Sequence, residues 1–168
     1  NRMKYKNVSI DQTRFRSVLG LFATGVTIVT GMTENKTPVG LTVNAFTSLS
    51  LSPPLVLFCL DKKTASIDAF DRGNGFALNM LNEDQKNLSV IFSTKVEDRF
   101  AEVDHTFWDT GVPILNGCLA NLECKIESIH SGGDHLIIVG LVERLQQSKN
   151  GRPLLYFKGD YAQISTAK

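Results

Sequence analysis

No stretch of this chain is apolar enough to span a bilayer. Its longest uninterrupted apolar run, about Leu55–Leu60, falls far short of the roughly 20 residues a spanning helix needs. Neither charge is in excess. Lys and Arg number 18 against 17 Asp and Glu, a net charge of +1, so no long-range field points to nucleic acid or an anionic membrane. Basic patches interleaved with aromatics are missing as well. Cysteine is scarce. The 3 present, Cys59, Cys118 and Cys124, form no CxxC unit, and an odd number argues against a disulfide framework or a zinc knuckle. Cys59 within LVLFCL, and Cys124 alternating with Leu122 and Ile126, read as small core hydrophobes. A soluble protein of a reducing, cytoplasmic setting is expected.

Familiar catalytic signatures are absent too. No GxGxxG follows a strand, no GxxxxGK(S/T) occurs, and no GxSxG elbow presents a serine. Together these disfavour a Rossmann domain, a P-loop NTPase and a serine hydrolase. His130, Asp134 and His135 lie close together across a Gly-Gly turn, but their spacing fits no standard metal-ligand set.

What is present is an ordinary globular composition. With 42% hydrophobic and 21% charged residues over 168 positions, the chain can bury a core without staples. The first residues lack a signal-peptide h-region, so 1–14 read as a loose leader and 15–168 as one domain. Asp11 is placed to cap a short helix carrying Phe15, Val18, Leu19 and Phe22. Val26–Thr30 and Val39–Val43 read as a hairpin, and Pro53-Pro54 breaks the ladder before Leu55–Leu60. A short helix is expected over Thr64–Phe70 and a strand over Phe76–Leu81. Asn82 with Gln85 forms a capping-box pattern opening a helix with Leu88, Ile91 and Phe92. Phe100–Trp108 reads as irregular or weakly helical, and Gly111–Gly117 as a loop. Leu119–Ile129, His135–Val142 and Leu154–Phe157 complete the strands, a pattern that favours a small antiparallel barrel.

The most informative segment is Gly40–Ser66. Two apolar runs are joined by a stretch dense in Thr42, Asn44, Thr47, Ser48, Ser50 and Ser52, and Lys62, Lys63, Thr64 and Ser66 follow the second run. Hydroxyls and an amide suit the edge of a polar heterocycle, and two lysines suit a phosphate. A hairpin with a Ser/Thr-rich solvent face would leave the same pattern.

Five segments carry a resemblance: FATGVTIVT (Phe22–Thr30), GLTVNAFTSLSLSPPLVLFCLDKKT (Gly40–Thr64), FALNML (Phe76–Leu81), GDHLIIVG (Gly133–Gly140) and PLLYFKGDY (Pro153–Tyr161). In this order they resemble the flavin reductase-like family, which includes the reductase components of two-component flavin-dependent monooxygenases. The resemblance implies an FMN-binding split barrel, mainly β with six or seven antiparallel strands and a few short helices, assembled as a homodimer. Its activity would be hydride transfer from NADH or NADPH to FMN, with FAD as the alternative flavin, serving a separate oxygenase.

By the same resemblance, Thr42, Asn44 and Ala45 would meet the isoalloxazine edge. Ser48, Leu49 and Ser50 would lie towards the ribityl chain and phosphate, and Lys62, Lys63, Thr64 and Ser66 on the phosphate side. His135 would position the nicotinamide, and Arg99 and Tyr161 would contribute at the edge. Two other readings stay open: a split-barrel flavoprotein using tightly bound FMN on another substrate, and a non-enzymatic flavin-binding module. Hydride transfer needs no side-chain acid or base, so the lack of a catalytic triad agrees with the first reading.

Overall fold

The computed structural model describes residues 9–95 and 98–165. Helix α1 (Gln12–Leu19) begins where expected, with Asp11 Oδ1 accepting from Arg14 N at 2.7 Å. It therefore takes in the last residues of the expected leader, of which 1–8 lie outside the described residues. The strands in chain order are β1 (Thr24–Gly25), β2 (Thr27–Met32), β3 (Pro38–Val43), β4 (Phe46–Leu51), β5 (Pro54–Asp61) and β6 (Gly75–Met80). After helix α2 (Lys86–Ser93) come β7 (His105–Phe107), β8 (Pro113–Leu115), β9 (Ala120–Gly132), β10 (His135–Gln147), β11 (Leu155–Phe157) and β12 (Asp160–Ala162).

Seven strands form one antiparallel sheet in the order β3-β2-β6-β9-β10-β5-β4. Its two edge strands, β3 and β4, are consecutive in the chain and joined only by Asn44 and Ala45. A flat sheet would hold those edges roughly 29 Å apart at about 4.8 Å per strand spacing. Two linking residues reach at most about 11 Å. The sheet must therefore curl until its edges meet corner to corner. Because β3 and β4 are not paired, it stays open at that seam instead of closing as the expected barrel.

The inside of the curl is the core. Phe58 lies against Phe70 and Phe76, with ring centroids 5.7 and 5.1 Å away, and Val29, Leu78 and Ile138 surround them. Gly140 is required there, because a Cβ at that position would sit 2.4 Å from the Phe76 ring. A second cluster, with Ile28, Leu81, Phe92, Leu115 and Leu154, packs α2 on the sheet. Gly40 permits this, since a Cβ there would come within 2.5 Å of Phe92.

Asn79 and Asn121 are buried but satisfied. Asn79 Oδ1 accepts from Leu115 N at 2.9 Å and from Asn121 Nδ2 at 2.8 Å, and Asn121 Oδ1 accepts from Gln146 Nε2 at 2.9 Å. That network ties β8 to the sheet and accounts for two differences from the sequence reading. Phe100–Trp108 and Gly111–Gly117 contain β7 and β8, a hairpin whose strands are too short to show a period and which tertiary contacts hold.

Three further segments differ. The hydroxyl-rich stretch is itself a strand, β4, paired to β5 across the Ser52-Pro53 turn. Only Ile67–Phe70 of the expected Thr64–Phe70 helix is helical, as a 3-10 turn. Finally, α1 stops at Leu19 because Gly20 closes it by donating to Arg16 O, which leaves Phe22 outside the helix. The capping box holds. Gln85 Oε1 accepts from Asn82 N at 3.0 Å and Asn82 Oδ1 from Glu83 N at 2.9 Å, opening a 3-10 turn that runs into α2.

Gly140→Ala is predicted to destabilise the fold by about 1–3 kcal/mol through overpacking against Phe76. Urea unfolding should show this as a lower midpoint at unchanged slope; an unaltered midpoint would mean that Phe76 has room to move.

Candidate functional site at the seam of the sheet

Asn44 stands at the corner where the sheet edges meet, and it lines three adjoining clefts of ≈ 870, 350 and 230 Å³. It is exposed, and its amide makes no hydrogen bond among the described residues. Both its donor and its acceptor are therefore free for a ligand. Ala45 lines the largest cleft beside it, and Ala45 O accepts from Cys59 N at 3.1 Å, which pins the corner onto β5.

Alternation along β5 divides core from cleft. Val56, Phe58 and Leu60 point into the core, whereas Leu57 and Cys59 face outward into the largest cleft. Leu19, Phe22, Phe46 and Tyr156 add apolar and aromatic walls, and Arg16 is the charged group among the lining residues. Cys59 is thus a half-buried cleft residue, not the core hydrophobe expected from its apolar run. Cys118 and Cys124 are buried as small hydrophobes, and burial pushes their thiols up to about 11 and about 12, so both are neutral at physiological pH.

His135 opens β10, paired with Asp61, as Ile137 is paired with Cys59. Directly opposed residues share a face, so His135 stands on the cleft side of the sheet, two residues beyond the level of Cys59. Its Nδ1 lies 2.7 Å from Asp134 Oδ1. This hydrogen bond holds the Asp134 carboxyl below its ordinary value. Gly133, with φ +67, supplies the left-handed turn that brings the pair there.

Lys62 fastens this turn. Its Nζ donates to Ser131 Oγ at 2.7 Å and to Gly133 O at 2.6 Å, and its backbone N donates to Asp134 O. The Lys63 side chain makes no such bond among the described residues. Thr64 and Ser66 follow, half-buried, with Thr64 N donating to Asp61 O and no side-chain cap from Ser66.

The structure does not bring all the expected residues together. Ser48 and Ser50 pair with Val56 and Leu55 at the other end of β5, with Leu49 as the bulge between them. That end lies roughly 20 Å from Lys62 along the strand. Within one chain, one phosphate cannot meet both groups. Arg99 is a backbone tie, with Nη1 donating to Gly40 O at 2.7 Å and Nη2 to Thr94 O.

Thr42 and Tyr161 share the smallest cleft with Asn44. Thr42 Oγ1 donates to Ser89 O at 2.8 Å, and Tyr161 OH lies 2.8 Å from Ser89 Oγ. Sequence reasoning missed Arg16, Phe22, Phe46, Tyr156, Ser89 and Ser93. Ser89 alone left a local signal, a hydroxyl on the apolar face of α2 one turn before Phe92.

A corner amide flanked by an apolar cleft and a hydroxyl-lined one suits a planar heterocycle carrying a polar chain. Residues 19–165 match the flavin reductase like domain. The chain belongs to this family. It is 44% identical over 160 residues to the flavin-dependent monooxygenase reductase subunit HsaB of Rhodococcus jostii, covering 95% of this chain and 82% of that protein. It is 42% identical to the FMN reductase (NADH) SmoA of Agrobacterium fabrum, covering 90% of this chain and 85% of that protein. Among solved structures, the NADH:FAD oxidoreductase of Streptomyces globisporus, in complex with NAD and FAD fragments, superposes with a TM-score of 0.88 at 34% identity. That match covers 93% of this chain and 94% of the other.

The geometry separates the two lysines of this reductase domain. Lys63→Ala is predicted to weaken FMN binding several-fold more than riboflavin binding, because its ammonium, unbonded among the described residues, would be free to meet a phosphate. Lys62→Ala should weaken both equally through the turn it fastens. Fluorescence titrations with the two flavins check this; a phosphate-selective loss in the Lys62 variant would reverse the assignment.

Proposed function

We infer that this chain is the reductase of a two-component oxygenase system, taking hydride from a reduced nicotinamide and supplying reduced flavin to a separate oxygenase. The observation that carries this reading is the unpaired Asn44 amide at the head of an apolar cleft of ≈ 870 Å³, within a flavin reductase-like chain. Its relatives' names support NADH as the reductant and FMN or FAD as the flavin.

The residues fit a flavin. Phe22, Phe46, Leu57 and Tyr156 would flank its ring and exclude water, and Asn44 would hydrogen-bond its polar edge. Bound flavin supplies the hydride acceptor, so the chain's own task is positioning. A fixed amide donor near a ring edge that gains negative charge acts as preorganised electrostatic stabilisation. His135 stands on the same face and would position the nicotinamide, its ring oriented by Asp134. Three free cysteines and a need for reduced nicotinamide fit a cytoplasmic setting.

The surface of α1 supports assembly as a homodimer. None of its residues is buried, and Phe15, Val18 and Leu19 are 51%, 57% and 55% exposed, with Phe22 beyond them at 78%. A contiguous apolar surface of this kind suits an isologous contact with a second copy, giving the homodimeric split barrel.

Three outcomes are expected. Mixing the protein with FMN and NADH should bleach the visible flavin band, with NADPH slower; no bleaching by either nucleotide would sink the reading. His135→Ala should keep FMN affinity within about twofold and slow stopped-flow flavin reduction about tenfold, roughly 1.4 kcal/mol of transition-state stabilisation. Wild-type rates in that variant would leave His135 without a role in positioning. Val18→Glu should convert a dimer to a monomer by light scattering, and a wild-type monomer would refute the interface.

A further inference from the structure

Two bodies meet at the largest cleft. One wall is the seven-stranded sheet, through Leu57 and Cys59, and the other is a lobe, through Leu19, Phe22 and Tyr156. The lobe is built from residues 9–25 and 155–165. It consists of α1 and a three-stranded sheet, in the order β1-β11-β12, which shares no strand pairing with the larger sheet. The chain passes between the bodies at one place, leaving the lobe at Val26 and re-entering it from Leu154, both buried. Val26 N donates to Leu154 O at 3.1 Å, Leu81 N to Val26 O at 3.0 Å and Leu154 N to Leu81 O at 3.1 Å. These three bonds pin the two crossings side by side, just beyond β6.

Away from that pin the lobe is held on one flank. Tyr161 OH lies 2.8 Å from Ser89 Oγ of α2, and among the described residues no other hydrogen bond or ion pair ties the lobe to the sheet or to α2. The flank that faces the largest cleft is bare. Within the lobe, α1 hangs on Lys158 N donating to Gly20 O, and Lys158 has φ +53, a strained conformation for a lysine of the kind retained at clamps and switch regions. A body pinned at one point, tied on one flank and free on the other can turn about that line. We propose that the lobe is a lid that turns about the Val26–Leu154 pin and closes α1 and Tyr156 onto a ring bound in the largest cleft. This rests on the flavin reductase reading, in which that ring is a flavin. Closure would exclude water while hydride is transferred, and reopening would set the rate at which reduced flavin leaves. Phe15 and Val18 do not line the cleft, so the face of α1 that suits a second copy is not the edge that closes.

Asp11 is the residue to change. It is exposed and outside the cleft, and its side chain bonds only Arg14 N, so Asp11→Ala loosens α1 without touching a ligand. Binding of FMN to the whole chain is followed by stopped-flow fluorescence. In the wild type the observed rate should rise with FMN concentration and level off, because closure follows the encounter. Asp11→Ala should keep the initial slope and release FMN about fivefold faster, the effect of losing a helix cap. Asp11→Ser, which still caps, should restore wild-type release. Hydrogen exchange supplies a second measurement. The Lys158 N–H does not line the cleft, yet it should exchange about fivefold more slowly with FMN bound, whereas a ligand on a rigid wall would leave it unchanged. That measurement decides the matter if the alanine variant does not fold. A rate that stays linear in FMN, unaltered release in a folded Asp11→Ala, or unaltered exchange at Lys158 overturns the proposal. A wild-type protein that binds no FMN would instead overturn the reading on which the proposal rests.

Discussion

Two residues constrain this molecule more than any others. Asn44 and Ala45 connect β3 to β4, and those strands are the opposite edges of a seven-stranded sheet. Covalent reach alone forces the sheet to curl, so the seam between the edges and the enclosure of Phe58, Phe70 and Phe76 follow from one short link. The link cannot itself be buried in the core, because it crosses from one edge to the other. It is left exposed at the corner where three clefts converge. The constraint that shapes the core also creates the site.

The corner is held without strong electrostatics. Cys59 N donating to Ala45 O and Thr42 Oγ1 donating to Ser89 O fix its two sides, one against β5 and the other against α2. Between them the Asn44 amide is left unpaired. An exposed amide loses little by remaining hydrated, so the fold keeps it available at small cost. This suits chemistry whose barrier is lowered by alignment rather than by a charged catalytic group.

Much of this was legible in the chain. Period-two alternation marked Leu122, Cys124 and Ile126, and capping chemistry marked Asp11 and Asn82, because those signals are local. The hydroxyl-rich stretch located the corner, although β4 was hidden in it: Ser and Thr suit a loop and an edge strand equally well. Cys59 was misread because an unbroken apolar run does not say which of its alternating residues face the core. The family resemblance groups Ser48 and Ser50 with Lys62 on the phosphate side, and strand register sends them to opposite ends of β5. Phe22, Tyr156 and Ser93 were invisible as a group, since only tertiary structure brings three distant segments to one residue.

The wall of the largest cleft formed by Leu19 and Phe22 comes from an element that the other described residues scarcely hold. A helix of 8 residues is marginal alone, and α1 contributes nothing to the core. Beyond the Asp11 cap, its anchorage is Lys158 N donating to Gly20 O at 2.8 Å, at the turn between β11 and β12. That turn also carries Gly159, a lining residue of the same cleft, while Tyr156 beside it is hydrogen-bonded to Gly159 O. The Lys158–Gly20 hydrogen bond couples the end of α1 to the β11–β12 hairpin and so to the aromatic wall. A partner that covered the apolar face of α1 would hold the helix and, through that bond, the cleft wall it forms, so its binding and that of a ligand in the cleft would be linked.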